Sequence, residues 1–133
     1  MMVVDSSVLI AVLLMEPGSE QFLQQLAESE VLYLSPASLL ETAMVIEYKK
    51  GKAGADKLDE LLAELMPTIV AFDRDQALLA RTAWREYGKG RHPAKLNFGD
   101  CCSYALAKHL NKPLLFKGND FSQTDLLLMS SGD

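Results

Sequence analysis

The chain has 133 residues, 49% of them hydrophobic, and its formal net charge at pH 7 is −5. This length is typical of one domain, and the hydrophobic content is high enough to form a core, which excludes an intrinsically disordered chain. The negative charge argues against a protein that grips nucleic acid through one broad basic face. We therefore predict a single domain over residues 1–133.

The amino-terminal segment is apolar, but it has the features of neither a signal peptide nor a transmembrane helix. No basic residue precedes the apolar run, and the segment contains Asp5. The uninterrupted apolar stretch from Val8 to Met15 is too short to span a bilayer. Cys101 and Cys102 are adjacent and would make a poor disulfide, so we predict reduced core thiols in a cytoplasmic protein.

Strand and helix patterns alternate along the chain. Short apolar runs predict strands at residues 2–5, 31–35, 68–72 and 113–116, with 125–129 as a further candidate. Helical spacing of apolar residues predicts helices at residues 6–15, 19–30, 35–50, 53–66, 73–88 and 100–110. The third helix has Ser35 as its N-cap and is predicted to end at Gly51.

Strands separated by helices predict an α/β sandwich with a mainly parallel sheet. The strands are short and nearly all apolar, which is typical of strands buried on both faces. In such folds, ligands bind beyond the carboxyl ends of the strands. Polar residues that follow a strand or begin the next helix are therefore the candidates for a functional site.

Three aspartates occupy such positions. Asp5 ends the first predicted strand, Asp120 follows the last clear strand, and Asp100 lies where a predicted helix begins. We expect the three carboxylates to converge on one crevice. Each also has an ordinary alternative, because Asp5 and Asp100 could cap helices and Asp120 could belong to a turn. Asp125 is a weaker candidate, with a supporting role.

Glu41 lies on a predicted helix among apolar neighbours. At about 100° per residue, Ala37, Met44, Val45 and Tyr48 share its helical stripe. A carboxylate in the middle of a buried apolar face costs on the order of several kcal/mol unless something compensates its charge. We expect the compensation to be either a cation shared with the aspartates or a Lys or Arg from elsewhere in the chain.

Four carboxylates at one place repel one another, so without a cation some of them would hold a proton. Hard oxygen ligands of this kind suit Mg²⁺, with Mn²⁺ as an alternative. The chemistry that fits such a site is hydrolysis of a phosphodiester by a metal-activated water. The sequence contains no Walker loop, no GxGxxG motif and no nucleophile elbow.

A basic segment leads directly to Asp100. Five of the 13 Lys and Arg residues lie between residues 81 and 95, where Glu86 is the only acid. The candidate substrate-binding residues of this segment are Arg85, Lys89, Arg91, His92 and Lys95. A basic loop beside an acidic metal site is suited to holding a polyanion. The alternative is a solvated helix end followed by an ordinary loop.

With these residues in place, the chain resembles the PIN-domain ribonucleases of the VapC toxin family over nearly its whole length. The matching motifs are VVDSSVLIA around Asp5, SPASLLETAMV around Glu41, GRHPAKLNFGDCCSYALAK around Asp100, and PLLFKGNDFSQTDL around Asp120. The resemblance implies a three-layer α/β/α fold. It also implies a Mg²⁺-dependent endoribonuclease whose substrates are of the transfer RNA or ribosomal RNA class.

The resemblance further implies roles for individual residues. Asp5 and Asp100 would be the main metal ligands, Glu41 and Asp120 would complete the acidic pocket, and Ser6 would steady the first acid. A homodimer and inhibition by a VapB-like antitoxin are also implied. A guanidinium of the antitoxin would suit the carboxylate cluster, and the apolar helices at residues 8–14 and 37–48 are candidates for its groove.

Three other classes of function stay open. A haloacid-dehalogenase-like phosphatase also has an Asp after its first strand, but it needs a second Asp where this chain has Ser7. A response-regulator receiver would account for Lys117 but lacks its mid-chain strand-end Asp here, since Asp73 begins a helix. Under a non-catalytic binding module, the substitutions Asp5→Ala and Asp100→Ala would leave RNA cleavage unchanged.

Overall fold

The computed structural model describes residues 1–129, so the last four residues of the predicted domain, 130–133, lie outside the described residues. The strands are β1 Met2–Val4, β2 Leu32–Leu34, β3 Thr68–Ile69 and β4 Leu114–Leu115. The helices are α1 Ser6–Leu13, α2 Ser19–Glu28, α3 Pro36–Leu65, α4 Arg74–Tyr87 and α5 Phe98–Leu110. Among the described residues, no helix is long and apolar enough to cross a membrane.

The four strands form one parallel sheet in the order β3-β2-β1-β4. Val3 lies opposite Tyr33 on one side and Leu114 on the other, so β1 is a central strand. The chain runs outward from β1 to β3 and then returns to the other side of β1 to form β4. The order therefore reverses between β1 and β4, and the carboxyl ends of these two strands flank the expected binding crevice.

The two faces of the sheet are covered by different helices. Met2 and Val4 pack into a core with side chains of α1, α2 and α3, including Leu9, Leu26 and Leu61. Val3, between them, points to the opposite face and packs with side chains of α4 and α5. The alternation follows from the two-residue period of a strand. It confirms the predicted three-layer α/β/α sandwich with a parallel sheet.

Two strand predictions need correction. The strand predicted at residues 68–72 is reduced to Thr68–Ile69, and both residues are exposed, because β3 is an edge strand with a neighbour on one side only. The prediction that all strands are buried is therefore wrong for β3. Residues 125–129 contribute a single bridge, from Leu128 to Leu114, and no named strand.

The predicted break at Gly51 is present inside α3. Gly51 has φ 62° and ψ −151°, and helical geometry continues on both sides of it. A positive φ of this kind is available to glycine without the steric penalty that a side chain would bring. The two predicted helices are therefore one element with a kink. Cys101 and Cys102 are both free and buried within α5, as predicted for core thiols.

Candidate active site

Asp5 lies at the carboxyl end of β1 and is the N-cap of α1. Its Oδ2 accepts a hydrogen bond from the Ser7 backbone N–H at 3.1 Å, and its Oδ1 accepts one from Ser103 Oγ at 2.6 Å. Only 3% of the residue is exposed. Asp5 is therefore a helix cap and can also be a site residue. The capping bond fixes the direction in which its carboxylate points.

Ser103 belongs to this site, and the sequence analysis did not identify it. Its Oγ is fully buried and lies 3.1 Å from Ser38 Oγ as well as 2.6 Å from Asp5. A hydroxyl has one proton, and Ser103 uses it on the carboxylate, so Ser38 donates to Ser103. The available signal was a hydroxyl residue three positions after Asp100 in an otherwise apolar helical run.

From the sequence, Asp100 was a candidate for the N-cap of α5, but it does not occupy that position. The helix begins at Phe98, its N-cap is Asn97, and Asp100 is the third helical residue. Asn97 Oδ1 accepts from the Asp100 N–H at 2.9 Å, while Asp100 Oδ2 accepts from the Asn97 N–H at 3.0 Å. This reciprocal pair is a capping box, which satisfies two backbone donors at the helix start. It holds the Asp100 side chain at the mouth of the crevice.

The carboxyl group of Asp100 is electrostatically destabilised in its charged form. Burial raises its pKa to about 7, and the negative charges of Asp5, Asp120 and Glu41 act in the same direction, whereas the Asn97 N–H acts against them. These three acids come from β1, from α3 and from the segment after β4. The structure therefore brings all four predicted acids into one electrostatic neighbourhood.

Glu41 reaches this neighbourhood from α3. Its Oε1 accepts a hydrogen bond from Ser6 Oγ at 2.7 Å, so Ser6 contacts Glu41 and not Asp5, because the first turn of α1 faces α3. Gly99 makes the close approach possible, since a Cβ there would lie 2.6 Å from Glu41 Oε1. The carboxylate is thus fitted against the start of α5.

The apolar stripe around Glu41 does not face the core, contrary to the sequence analysis. Met44 is 63% exposed and Tyr48 is 90% exposed, and Leu40 beside them is also exposed. Helical periodicity identified the stripe correctly, but α3 turns it to solvent while Thr42 and Ile46 face the interior. Glu41 therefore lies between the acidic crevice and an exposed apolar surface.

Asp120 and Asp125 lie in different surroundings. Burial and the charge of Asp5 raise the pKa of Asp120, although its side chain is exposed. Asp125 instead accepts from the Tyr104 hydroxyl at 2.6 Å and pairs with Lys108 at 2.7 Å. Partial burial would raise the pKa of Asp125, but these two bonds lower it overall. Asp120 faces the other acids, and Asp125 ties the segment after β4 to α5.

The four carboxylates are neighbours, but they do not converge on one point. In residues 1–129, no three His, Cys, Asp or Glu side chains lie close enough to form a ready-made metal site. Three of the acids are held by separate partners, Asp5 by Ser103, Asp100 by Asn97 and Glu41 by Ser6. The donor set still fits a hard divalent cation, because it consists of carboxylate oxygens with one group whose charge is poorly compensated.

The basic segment leads from α4 to this site. Arg85 lies in the last turn of α4, and Lys89, Arg91 and Lys95 are exposed. His92 is half-buried, contacts Tyr87 edge-on and accepts a hydrogen bond from the Ala94 N–H at its Nδ1. His92 therefore anchors the loop, while the four Arg and Lys side chains are exposed, and Arg91 among them lies over the Trp84 ring.

The acids at the carboxyl ends of a parallel sheet and the basic rim correspond to a known family. The PIN domain family model matches residues 2–127. Ribonuclease VapC of Mycolicibacterium smegmatis is 51% identical over 125 residues, covering 94% of this chain and 97% of that protein. Ribonuclease VapC30 of Mycobacterium tuberculosis is 50% identical over 125 residues, covering 94% of this chain and 95% of that protein.

The fold itself matches that of VapC20 of Mycobacterium tuberculosis, a sarcin-ricin loop cleaving toxin, with a TM-score of 0.78. The two sequences are 17% identical, and the match covers 97% of this chain and 98% of that one. A toxin–antitoxin complex from Klebsiella pneumoniae matches with a TM-score of 0.74 at 17% identity, over 97% of each chain. The chain therefore belongs to the PIN-domain family.

Within that family, the relatives at about 50% identity place it among the VapC ribonucleases. This membership confirms the predicted family and, at the level of the family, the predicted class of endoribonuclease toxin. It excludes the alternatives of a phosphatase and of a receiver domain. The assignments of individual site residues remain predictions, which rest on the geometry described above.

Proposed function

We propose that this chain is a divalent-metal-dependent endoribonuclease in which Asp5, Glu41, Asp100 and Asp120 form the acidic centre. The observation that carries the proposal is the environment of Asp100. Its carboxyl group is destabilised in its charged form chiefly by burial, and further by the charges of three acids that come from three separate segments of the chain. A purely structural residue at the third position of a helix has no need of such neighbours, whereas a cation ligand does.

Asp5 and Asp100 are the proposed cation ligands, with Mg²⁺ as the preferred ion and Mn²⁺ as an alternative. A bound divalent cation supplies an activated water and neutralises negative charge on the phosphate. The chain itself keeps the ligands in place. Ser103 fixes Asp5, the capping box fixes Asp100, and Ser6 fixes Glu41. Hydrogen-bonded partners of this kind orient the groups that bind a metal.

The substrate is proposed to be RNA of the transfer RNA or ribosomal RNA class, held by Arg85, Lys89, Arg91 and Lys95. Their positive charge would attract phosphates that the acidic centre alone would repel. The solved structures with this fold include VapB–VapC and other toxin–antitoxin complexes. We therefore propose a VapB-like antitoxin as the inhibitor, and a homodimer as the form that binds it.

The test is induction of the chain in a bacterium, with 5′-end mapping of cellular RNA. We expect growth arrest with new, sharp RNA ends that require Asp100 and disappear in the Asp100→Asn variant. The matched control is Asp56→Asn, which removes an exposed carboxylate that pairs with Lys52 on α3. Arrest that persists in the Asp100→Asn variant would contradict the assignment of Asp100 to the acidic centre.

Purified protein separates catalysis from indirect effects in the cell. Cleavage of the mapped RNA should require Mg²⁺ or Mn²⁺ and should be abolished by a chelator. Cleavage that continues at the same rate in the chelator would refute metal dependence, while the ribonuclease assignment would stand.

A further inference from the structure

A hollow of about 500 Å³ lies between α4 and the start of α5, and the acidic centre does not account for it. It is lined by three partly exposed aromatic side chains, Phe72, Trp84 and Phe98, and by two cations, Arg81 and Lys89. We call it the aromatic hollow. Its volume lies within the range of about 300–1,000 Å³ that is common for ligand sites.

The hollow exists because α4 presents small residues there. Ala77 and Ala80 share the stripe of Arg81 and Trp84 on α4, so nothing large fills the space towards α5. Phe98, the first residue of α5, is 81% exposed, and Trp84 is 44% exposed. Large aromatic side chains left in the open around a cavity indicate a surface that binds something.

The hollow and the acidic centre meet at the first turn of α5, although none of the four acids lines the hollow. Asn97 and Phe98 line it, and the same turn of α5 carries Gly99 against Glu41 and Asp100 in its capping box. Cys101, in the hollow wall, follows Asp100 directly in the sequence. A ligand in the hollow would therefore lie within about one helical turn of Asp100 along α5.

The charges of the hollow favour a nucleic acid over a protein partner. Arg91 stacks on Trp84, with its guanidinium carbon 4.1 Å from the ring centroid, and Arg81 and Lys89 complete a positive rim. No acidic residue lines the hollow in the part of the chain that the structure describes. The neighbouring hollow on α3 shares Asn97 and Phe98 with this one and is lined also by Leu40, Met44 and Glu41. Among residues 1–129 no cation lines it, so it is less suited to a polyanion.

We propose that the aromatic hollow is a nucleotide subsite, in which an unpaired base of the RNA substrate stacks on Trp84 and Phe98. The inference rests on the proposed ribonuclease function and narrows its substrate to RNA with unpaired bases at the cleavage site. Aromatic rings interleaved with cations are the arrangement by which proteins hold single strands, since every base offers a π-face to stack. A base within a duplex is already stacked and is not available to the hollow.

The test uses Trp84 as a probe, because it is the only tryptophan in the chain. The wild-type protein is titrated in EDTA, so that RNA is bound without cleavage, with three ligands of equal length. These are a single-stranded oligoribonucleotide, the same strand with abasic sites, and a duplex. We expect the base-bearing strand to quench Trp84 fluorescence and to bind roughly 5- to 100-fold more tightly than the abasic strand, and the duplex to cause no quenching.

The Phe98→Ala variant should lose this preference while its affinity for the abasic strand stays unchanged. Because Phe98 is largely exposed, the variant should fold normally, and thermal unfolding checks this. Tyr48→Ala is the matched control, since Tyr48 is an exposed aromatic residue on α3 that does not line the hollow. It should bind all three ligands as the wild type does.

Three outcomes would overturn the proposal. Equal affinity for the base-bearing and abasic strands would refute stacking but leave the ribonuclease function intact if the protein still cleaves RNA. Failure to bind or cleave any RNA would refute the subsite and the proposed function together. A Trp84 signal that depends on protein concentration without RNA, accompanied by a change in molecular mass, would mean that a second copy of the chain occupies the hollow.

Discussion

The substitution Asp100→Asn should stabilise the metal-free protein while it removes cleavage. The Asp100 carboxyl group is 8% exposed and has its pKa raised from 3.8 to about 7. At about 1.36 kcal/mol per pKa unit, the ionised group therefore destabilises the fold by up to about 4 kcal/mol. An asparagine has no charge to bury, and its amide oxygen can still accept the hydrogen bond from the Asn97 N–H.

The gain in stability expected for Asp100→Asn is smaller than this limit of about 4 kcal/mol. The asparagine replaces a charge-assisted hydrogen bond with a neutral one, which gives back about 1 kcal/mol, and solvent near the crevice screens part of the repulsion. We therefore expect the variant to exceed the wild type by about 1–3 kcal/mol in its free energy of unfolding at pH 8 in EDTA. Urea unfolding of both proteins measures this difference, provided that the denaturant slope is unchanged.

The sign of the pH dependence follows from the raised pKa. The folded state holds the Asp100 proton more tightly than the unfolded state, so the penalty develops as the pH rises from about 4 to about 7 and is complete above that range. The advantage of the variant should therefore shrink as the pH falls from 7 to 4. A variant no more stable than the wild type at pH 8, or an advantage independent of pH, would refute the reasoning. Mg²⁺ should stabilise the wild type and not the variant.

Three further substitutions separate the roles of the residues around the centre. Ser103→Ala removes the donor to Asp5 and should lower the cleavage rate by about 10- to 100-fold in a purified assay. Gly99→Ala places a Cβ 2.6 Å from Glu41 Oε1, so it should lower cleavage about 10-fold or more without lowering the melting temperature. Asp125→Asn should leave cleavage unchanged but weaken the fold, because the variant loses the negative charge that pairs with Lys108. The bonds from Lys108 and Tyr104 lower the pKa of Asp125 in the folded protein. The difference in stability between wild type and variant should therefore disappear as the pH falls below about 4.

A control variant accompanies these three substitutions, and each of them has an outcome that would contradict its prediction. Ser122→Ala removes an exposed hydroxyl that donates to the Asn119 carbonyl at 2.7 Å, and it should change neither rate nor stability. Full activity in Ser103→Ala would show that Asp5 needs no hydroxyl partner. Full activity in Gly99→Ala would mean that the Glu41 carboxylate can move aside without consequence. Loss of cleavage in Asp125→Asn, with Asp120→Asn unaffected, would reverse the assignment of the fourth acid.

The sequence predicted the features that depend on local order. Asp5 follows an apolar strand directly, and parallel strands end at the same edge of a sheet, so its place in the crevice follows from the pattern. The start of α5 was also accessible: Asn97 and Asp100 are three residues apart, which is the spacing of a capping box. The sequence left Asp100 open as either the helix cap or a member of the acidic set, and in the structure the cap is Asn97.

Three features that depend on how distant elements pack were not predicted from the sequence. Helical periodicity places Met44 on the stripe of Glu41, but it cannot tell whether that stripe faces the core or solvent. Ser103 and Asp5 are 98 residues apart, and their hydrogen bond exists only because α5 packs on β1. The aromatic hollow likewise requires the packing of α4 against α5 and has no signature in either helix alone.

The arrangement of charge separates binding from catalysis. A phosphate approaching Asp5, Asp100 and Glu41 alone meets acidic side chains, and the pKa of Asp100 is raised by burial and further by the charges of the other acids. The cations that we propose to attract RNA lie elsewhere, around Trp84 and on the loop before α5. An RNA can thus be held at the rim by residues that take no part in the reaction. Under the proposed function, a bound divalent cation would offset part of that negative charge, so the same crevice would disfavour cleavage when no metal is bound.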